Sequence, residues 1–101
     1  MKKFKVLVQE LAKTDMRQAR KWYNQQQPGL GKKLNQDMTA TLRKIANNPT
    51  SFSVRYKHFR LAHFDTFPYA AHFYIDDTND TVYITAILHN RRHPNTPNDR
   101  L

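Results

Sequence analysis

Segment 81–94 limits the fold of this chain more than any other part of it. Residues 81–89 read TVYITAILH, a strongly β-prone run in which successive side chains point to opposite faces. Its two faces hold Val82, Ile84, Ala86 and Leu88 on one side and Tyr83, Thr85, Ile87 and His89 on the other. Because both faces are largely apolar, we expect a strand that is covered on both sides and lies inside its sheet. Residues 90–94 read NRRHP, so cations and imidazoles follow at the tip of a rigid element, where binding and chemistry are favoured.

The rest of the chain alternates between the periods of strands and helices. The predicted strands are 4–8, 53–64, 69–75 and 81–89, with 53–64 as one long or kinked strand. Two amphipathic helices are predicted at 11–27 and 30–47, with Pro28-Gly29 between them. The short break makes the helices an antiparallel hairpin. The order β-α-α-β-β-β predicts an α+β fold, in which this helical hairpin packs on a mostly antiparallel four-stranded sheet.

Length and composition exclude several classes of protein. A chain of 101 residues predicts a single domain over 1–101, with 95–101 as a frayed polar tail. The absence of cysteine excludes disulfides, thiolate chemistry and cysteine-ligated metals. No run approaches the roughly 18 apolar residues of a membrane span, and no signal peptide is recognisable. We therefore expect a cytoplasmic protein without a membrane partner.

The net charge of +9 is distributed unevenly along the chain. Residues 1–49 hold 11 lysines and arginines against 3 acidic residues, whereas residues 50–101 hold 6 against 5, together with all five histidines. Such a surplus indicates a polyanionic partner, either nucleic acid or an acidic protein segment. A solubilising basic surface without a specific partner is the alternative.

The first predicted helix carries a basic face beside its apolar stripe. Lys13, Arg17 and Arg20 follow the apolar positions one residue later, about a quarter-turn around the helix, and Lys21 extends the face. This face predicts a docking surface for a polyanion, with an ordinary solvated helix face as the alternative. The residues predicted to form the core are Trp22, Leu34, Leu42, Ile45, Ile84 and Leu88.

Segment 53–64 interleaves cations with aromatic rings. One side of the predicted strand would hold Arg55, Lys57, Phe59, Leu61 and His63, and the other Val54, Tyr56, His58 and Arg60. This pattern suits a groove for single-stranded nucleic acid, which needs charge for phosphates and ring faces for bases. It equally suits an edge strand whose charges prevent aggregation.

A set of arginines and histidines remains as candidate chemistry, namely Arg60, Arg91, Arg92, His89 and His93. Guanidinium groups stabilise charge on a reacting phosphate, and imidazoles move protons near neutral pH, without a metal. The same set would also suit binding alone. The spacing of His89 and His93 pairs metal ligands only on a helix, which Pro94 opposes. We therefore expect neither a metal nor a cofactor.

The whole pattern resembles the RelE/ParE superfamily of toxins from type II toxin–antitoxin systems. The resemblance rests on the element order and on Trp22-Tyr23, Pro28-Gly29-Leu30-Gly31, Asn48-Pro49, residues 56–60, Phe67-Pro68-Tyr69, Tyr74-Ile75-Asp76 and residues 87–94. It implies a small basic toxin that is neutralised by a co-expressed acidic antitoxin. RelE-like members cut mRNA on the ribosome, whereas ParE-like members poison DNA gyrase.

The resemblance also implies roles for individual residues. Arg91 matches an arginine near the end of the last strand of RelE-like toxins, while Lys57 and Arg60 approximate their strand cations. A tyrosine expected further on is missing from 95–101, and Tyr69-Ala70-Ala71 stands where a basic residue is expected. The expected site residues are catalytic Arg60, Arg91 and His93; target-binding Lys57, His89 and Arg92; and antitoxin-binding Lys13, Arg17, Arg20 and Lys21. The activity stays open between a metal-independent mRNA endonuclease, a gyrase inhibitor and a non-catalytic basic binding domain.

Overall fold

The computed structural model describes residues 3–91. Its elements are β1 (Lys5–Val8), α1 (Glu10–Gln26), α2 (Leu30–Asn47), a 3-10 turn (Pro49–Ser51), β2 (Val54–Tyr56), β3 (Phe59–His63), β4 (Tyr69–Asp76) and β5 (Thr81–His89). The α+β class and the predicted element order are confirmed. The predicted tail, 95–101, lies outside the described residues.

One five-stranded sheet organises the described part of the chain, in the order β1-β5-β4-β3-β2. The β1 strand pairs with β5 in parallel, and the remaining pairs are antiparallel. Both helices pack on one face of this sheet, hereafter the helix side, and the other face is the open side. Because β5 lies between β1 and β4, the expectation of an interior last strand is confirmed.

The prediction of a single strand over 53–64 was wrong, and the sheet has five strands rather than four. Lys57 and His58 form a tight turn that folds this segment into the β2–β3 hairpin. Lys57 occupies the left-handed region, with a φ of 48°. Two-residue hairpin turns are usually recognisable in a sequence because Gly, Asn or Asp occupies such positions. Lysine gives no such signal, so the pattern read as a continuous strand.

The β5 strand contains a bulge that the sequence pattern did not reveal. On β4, His72 pairs with Ala86 and the next residue, Phe73, pairs with Ile84, which leaves Thr85 as the extra residue. The Thr85 hydroxyl donates a hydrogen bond to the His72 carbonyl at 3.2 Å. A bulge of this kind interrupts the alternation of side chains along the strand.

The bulge redistributes the side chains that follow it. Val82 and Ile84 belong to the core under the helices, and Ile87 joins them there, although uninterrupted alternation would have placed it on the opposite face. Ala86 and Leu88, predicted to share a face with Ile84, pair instead with open-side residues of β4. The two faces predicted for β5 therefore hold only for its first half.

Most of the residues that were predicted to be buried are buried in the structure. Leu34, Ile45 and Ile84 are fully buried, Leu88 is buried at the sheet, and Leu42 is half-buried against the core. Trp22 was predicted incorrectly, because 54% of it is exposed. At 100° per residue, Trp22 lies about 60° and 120° around α1 from the buried Ala19 and Met16. It therefore stands beside the core stripe rather than on it.

The break between the helices forms where Pro28-Gly29 predicts it. Gly29 adopts a φ of 95°, a conformation that side chains rarely accept. Two residues after Gly29, in the first turn of α2, the Gly31 N–H donates to Asn24 Oδ1 at 2.8 Å. A Cβ atom on Gly31 would lie only 2.6 Å from Asn24 Nδ2, so a larger residue here would have to displace the Asn24 amide.

A buried carboxylate joins α2 to the β3–β4 turn. Asp37 accepts hydrogen bonds from the backbone N–H groups of Asp65, Thr66 and Phe67 at 3.2, 3.0 and 2.8 Å. The residue is only 8% exposed. These bonds fix the turn that leads into β4. Within residues 3–91, no helix combines the length and apolar character that crossing a membrane requires.

Candidate functional site

The strand tip is held in place by contacts from the neighbouring loop. The His89 ring meets the Tyr69 ring edge-on at 5.2 Å, and its Nδ1 accepts the Arg91 N–H at 3.0 Å. The Asn90 N–H donates to the Pro68 carbonyl at 2.8 Å. The chain is therefore fixed as far as Arg91, which is exposed. His93 and Arg92 lie outside the described residues.

Arg60 stands apart from this tip. It pairs across the sheet with Phe73, a core residue, so its side chain lies on the helix side. Its Nη1 donates to the Phe52 carbonyl at 2.6 Å in a half-buried position. Phe73 is four residues along β4 from Tyr69, the partner of His89, which amounts to about 13 Å. The structure therefore does not bring Arg60 to the strand tip.

Lys57 is also far from the tip. It precedes Phe59 in the hairpin turn, whereas His63, at the other end of β3, pairs with Ala70 near the strand tip. Lys57 is exposed, so it is accessible to a partner. Among the predicted target contacts that the structure describes, Lys57 and His89 thus occupy opposite ends of the sheet.

The open side contains a pocket that the sequence did not reveal, hereafter the imidazole pocket. It has a volume of about 140 Å³ and is lined by Arg55, Leu61, His63, Ala70, His72, Leu88, His89 and Asn90. His63 Nδ1 forms a 3.2 Å hydrogen bond with Asn90 Oδ1, and His72 Nδ1 a 2.9 Å bond with the Tyr56 hydroxyl. The imidazoles of His63 and His72 and the guanidinium of Arg55 thus converge, while the His89 ring turns toward Tyr69 on the helix side, and none of the described lining residues is acidic. This arrangement suits an anion.

The pocket was missed because it depends on strand register. His63 and His72 lie on different strands, and only the β3–β4 register places them on one face. The interleaved pattern of residues 53–64 did indicate the open side, through Arg55 and His63. The turn at Lys57 and His58, however, adds Tyr56 and His58 to this side, where the straight-strand prediction had placed neither.

A row of aromatic rings extends across the open side from β5 to β2, hereafter the aromatic row. Tyr83 stacks on Tyr74 with ring centroids 5.2 Å apart, and Tyr74 meets Phe59 edge-on at 5.7 Å. Phe59 in turn stacks with Tyr56 at 5.1 Å and with His58 at 4.4 Å. Tyr74 and Tyr83 remain partly exposed, whereas Phe59 is buried.

A groove on the helix side brings together three of the four predicted antitoxin-binding cations, hereafter the basic groove. Its volume is about 350 Å³, and its lining residues are Val8, Lys13, Met16, Arg17, Arg20 and Met38. Apolar side chains form its floor and three cations its rim. Arg20 Nη1 donates to Asn35 Oδ1 at 3.1 Å, which orients its guanidinium. The fourth cation, Lys21, is exposed on α1 and does not line the groove.

A second cleft, of about 240 Å³, lies between α1 and the end of β5. The β1 strand pairs with β5 only as far as Ile84. Beyond that point the Asp15 carboxylate accepts the Ile87 N–H at 3.0 Å, in place of a neighbouring strand. The exposed Trp22 forms one wall of this cleft. Within the described part of the chain, no group of three or more His, Asp or Glu side chains could hold a metal ion.

Comparison with known proteins agrees with this architecture. A structure of the chromosomal ParDE TA system from P. aeruginosa contains a chain with the same fold, at a TM-score of 0.75 and 14% sequence identity. The match covers 85% of this chain and 95% of that one. The fold is thus the one that the sequence resemblance predicted.

The family itself is shown by sequence. The family model described as ParE toxin of type II toxin-antitoxin system, parDE, matches residues 6–94. The chain therefore belongs to the ParE toxin family of type II toxin–antitoxin systems. No curated protein sequence matches the chain.

Proposed function

We propose that this ParE-family toxin acts on DNA gyrase rather than by cleaving mRNA. The observation that carries this choice is the position of Arg60. A guanidinium that stabilises a reacting phosphate must contact it directly. Arg60 instead binds the Phe52 carbonyl on the helix side, about 13 Å along the sheet from the level of His89. Inhibition of gyrase requires no such catalytic set.

On this proposal the exposed cations contact the target without chemistry. Arg91 leaves the sheet at the strand tip, beside His89, and Lys57 projects from the hairpin turn. Together with Arg92 they would meet the enzyme or its DNA. We place this activity in the cytoplasm, where both candidate targets are found.

An mRNA endonuclease is the second candidate, and the imidazole pocket favours it. In that reaction the RNA 2′-hydroxyl attacks the phosphorus, and the bond to the 5′-oxygen breaks. One imidazole accepts the proton of the attacking hydroxyl, and another supplies a proton to the leaving oxygen. Arg91 would stabilise the charge on the phosphate, with His93 as one proton carrier.

One preparation of the toxin, tested in two assays, distinguishes these candidates. We expect it to inhibit supercoiling by gyrase and to leave ribosome-bound mRNA intact under single-turnover conditions. Cleaved mRNA with unaffected supercoiling would reverse the assignment. In that case Arg91→Ala should slow cleavage roughly 10²–10³-fold, and His93→Gln should change its dependence on pH between about 5 and 8.

We further propose that the basic groove receives the antitoxin. Apolar side chains of an amphipathic segment would cover the half-buried Val8 and Met38, and its carboxylates would pair with Lys13, Arg17 and Arg20. The proposal is supported by the charge of residues 1–49, which lies in the helical half of the chain. A groove with an apolar floor and a cationic rim is complementary to an acidic amphipathic segment.

A further inference from the structure

The open side of the sheet is built differently from the rest of the surface. It combines the imidazole pocket near the strand tip with the aromatic row on the same face. Neither feature is used by the basic groove, which lies across the sheet on the helix side. Both features are formed by residues of the sheet and the β2–β3 hairpin, which hold them rigidly.

The imidazole pocket supplies a place for a phosphate. Arg55 offers a guanidinium fork that matches the geometry of phosphate oxygens. His63 and Asn90 add hydrogen-bonding groups at the same pocket, and no described lining residue is an acid that would repel an anion. A pocket of about 140 Å³ accommodates a single phosphate group rather than a whole nucleotide.

The aromatic row supplies ring faces for bases at a matching distance. Ala70, at the pocket, and Tyr74, in the row, are four residues apart on β4, or about 13 Å. Nucleotides in a stacked strand rise about 3.4 Å each, so this distance corresponds to a few nucleotides. Tyr74 and Tyr83 are the partly exposed members of the row, and bases can stack against them.

We propose that the open side binds single-stranded nucleic acid, with one phosphate in the imidazole pocket and neighbouring bases against Tyr74 and Tyr83. A duplex is disfavoured, because its bases are stacked inside the helix and cannot reach rings that lie on a sheet. This binding goes beyond the proposed action on gyrase, and it requires neither gyrase nor a ribosome.

Fluorescence anisotropy with labelled oligonucleotides tests the proposal on the purified toxin. The probes are oligo(dT), oligo(U) and a mixed-sequence duplex, each about 12 nucleotides long, which is within the range of single-strand sites. We expect both single strands to bind at least tenfold more tightly than the duplex. Tighter binding of oligo(U) than of oligo(dT) would identify RNA as the ligand. Equal affinity for the two would indicate that the toxin recognises only phosphates and bases.

Matched variants localise the binding. Tyr74→Leu and Tyr83→Leu keep apolar bulk and should each weaken binding about fivefold or more through lost stacking. Arg55→Gln should weaken it and reduce its dependence on salt. Arg17→Gln removes the same charge from the basic groove and should have little effect. The melting temperature and the fluorescence of Trp22, which stands on α1 away from this face, report whether each variant is folded.

The proposal is overturned by any of three results. The first is equal affinity for duplex and single strands, or no binding to either. The second is an equal loss from Arg17→Gln and Arg55→Gln, which would indicate general attraction to a basic protein. The third is unchanged affinity in folded Tyr74→Leu and Tyr83→Leu. Because the supercoiling assay is independent, failure here leaves the assignment of the target to gyrase untouched, and the reverse also holds.

Discussion

At the level of single residues, Asp37 connects the helical layer to the turn before β4. A charged acceptor that receives several backbone N–H groups satisfies donors that would otherwise be buried without a partner. The sequence shows Asp37 only as one acidic residue in an amphipathic helix. Its role depends on the turn of residues 65–67, which lies about thirty positions away in the chain and meets α2 only in the folded protein.

We therefore expect Asp37→Ala to lower the free energy of unfolding by about 3 kcal/mol, the upper end for loss of one hydrogen bond to a charged group. Urea unfolding monitored by circular dichroism measures this change. Asp77→Ala is the matched control, because Asp77 is exposed in the β4–β5 turn, and its loss should cost less than about 0.5 kcal/mol. Equal losses in the two variants would show that the Asp37 hydrogen bonds contribute little.

Substitutions of Arg60 and Arg91, the two described arginines that were expected to be catalytic, should affect the stability of the protein differently. Arg60→Ala removes the donor to the Phe52 carbonyl and should lower the free energy of unfolding by about 1–2 kcal/mol. Arg91→Ala removes an exposed side chain and should leave the melting temperature nearly unchanged. Thermal unfolding of both variants checks this. An unchanged melting temperature for Arg60→Ala would make Arg60 available for a role in function.

At the level of elements, the periodic segments could be predicted from the sequence and the irregular ones could not. The helices and the last strand follow apolar spacings that local sequence carries, and their predicted limits agree with α1, α2 and β5 to within about one residue. The β2–β3 turn and the Thr85 bulge carry no such spacing. The turn arises from β2–β3 pairing and the bulge from β4–β5 pairing, and this pairing overrides the intrinsic preferences of Lys57 and Thr85.

The candidate site divides in the same way. The strand tip follows β5 directly and the three groove cations lie on α1, so their positions followed from the sequence. The imidazole pocket required the β3–β4 register, and the separation of Arg60 from the tip required knowledge of which side of the sheet it faces. The residue pattern of one straight strand over 53–64 contains neither the register nor the side of the sheet that Arg60 faces.

The turn itself provides a test at this scale. Lysine in the left-handed region costs about 1–2 kcal/mol, and glycine in the same conformation is unstrained. We expect Lys57→Gly to preserve or slightly raise the melting temperature while removing the charge, and Lys57→Val to lower it, because a β-branched residue tolerates positive φ poorly. Lys57→Gly therefore tests the role of this cation in target contact without unfolding the protein. A lower melting temperature for Lys57→Gly would contradict the assigned turn.

At the level of the whole molecule, the sheet separates two surfaces of different chemical character. The basic groove and most of the positive charge lie with the helices, and the imidazole pocket and aromatic row lie on the open side. An antitoxin segment in the groove would therefore leave the open side uncovered unless the segment also passes around the sheet. To neutralise the toxin, the antitoxin would then have to pass around the sheet to the open side or block contact with the target on the helix side.

Charge steering of the antitoxin gives the last prediction. Because attraction between exposed charges falls with the Debye length, the association rate of toxin and antitoxin should decrease steeply between about 0.01 and 0.15 M salt. Stopped-flow mixing measures this rate. Arg17→Glu, in the basic groove, and Lys21→Glu, beside it, should slow association and flatten its dependence on salt. Lys33→Glu makes the same charge change on α2 outside the groove and should have a smaller effect. An association rate that is insensitive to salt, or an equal effect from Lys33→Glu, would place the antitoxin elsewhere on the toxin.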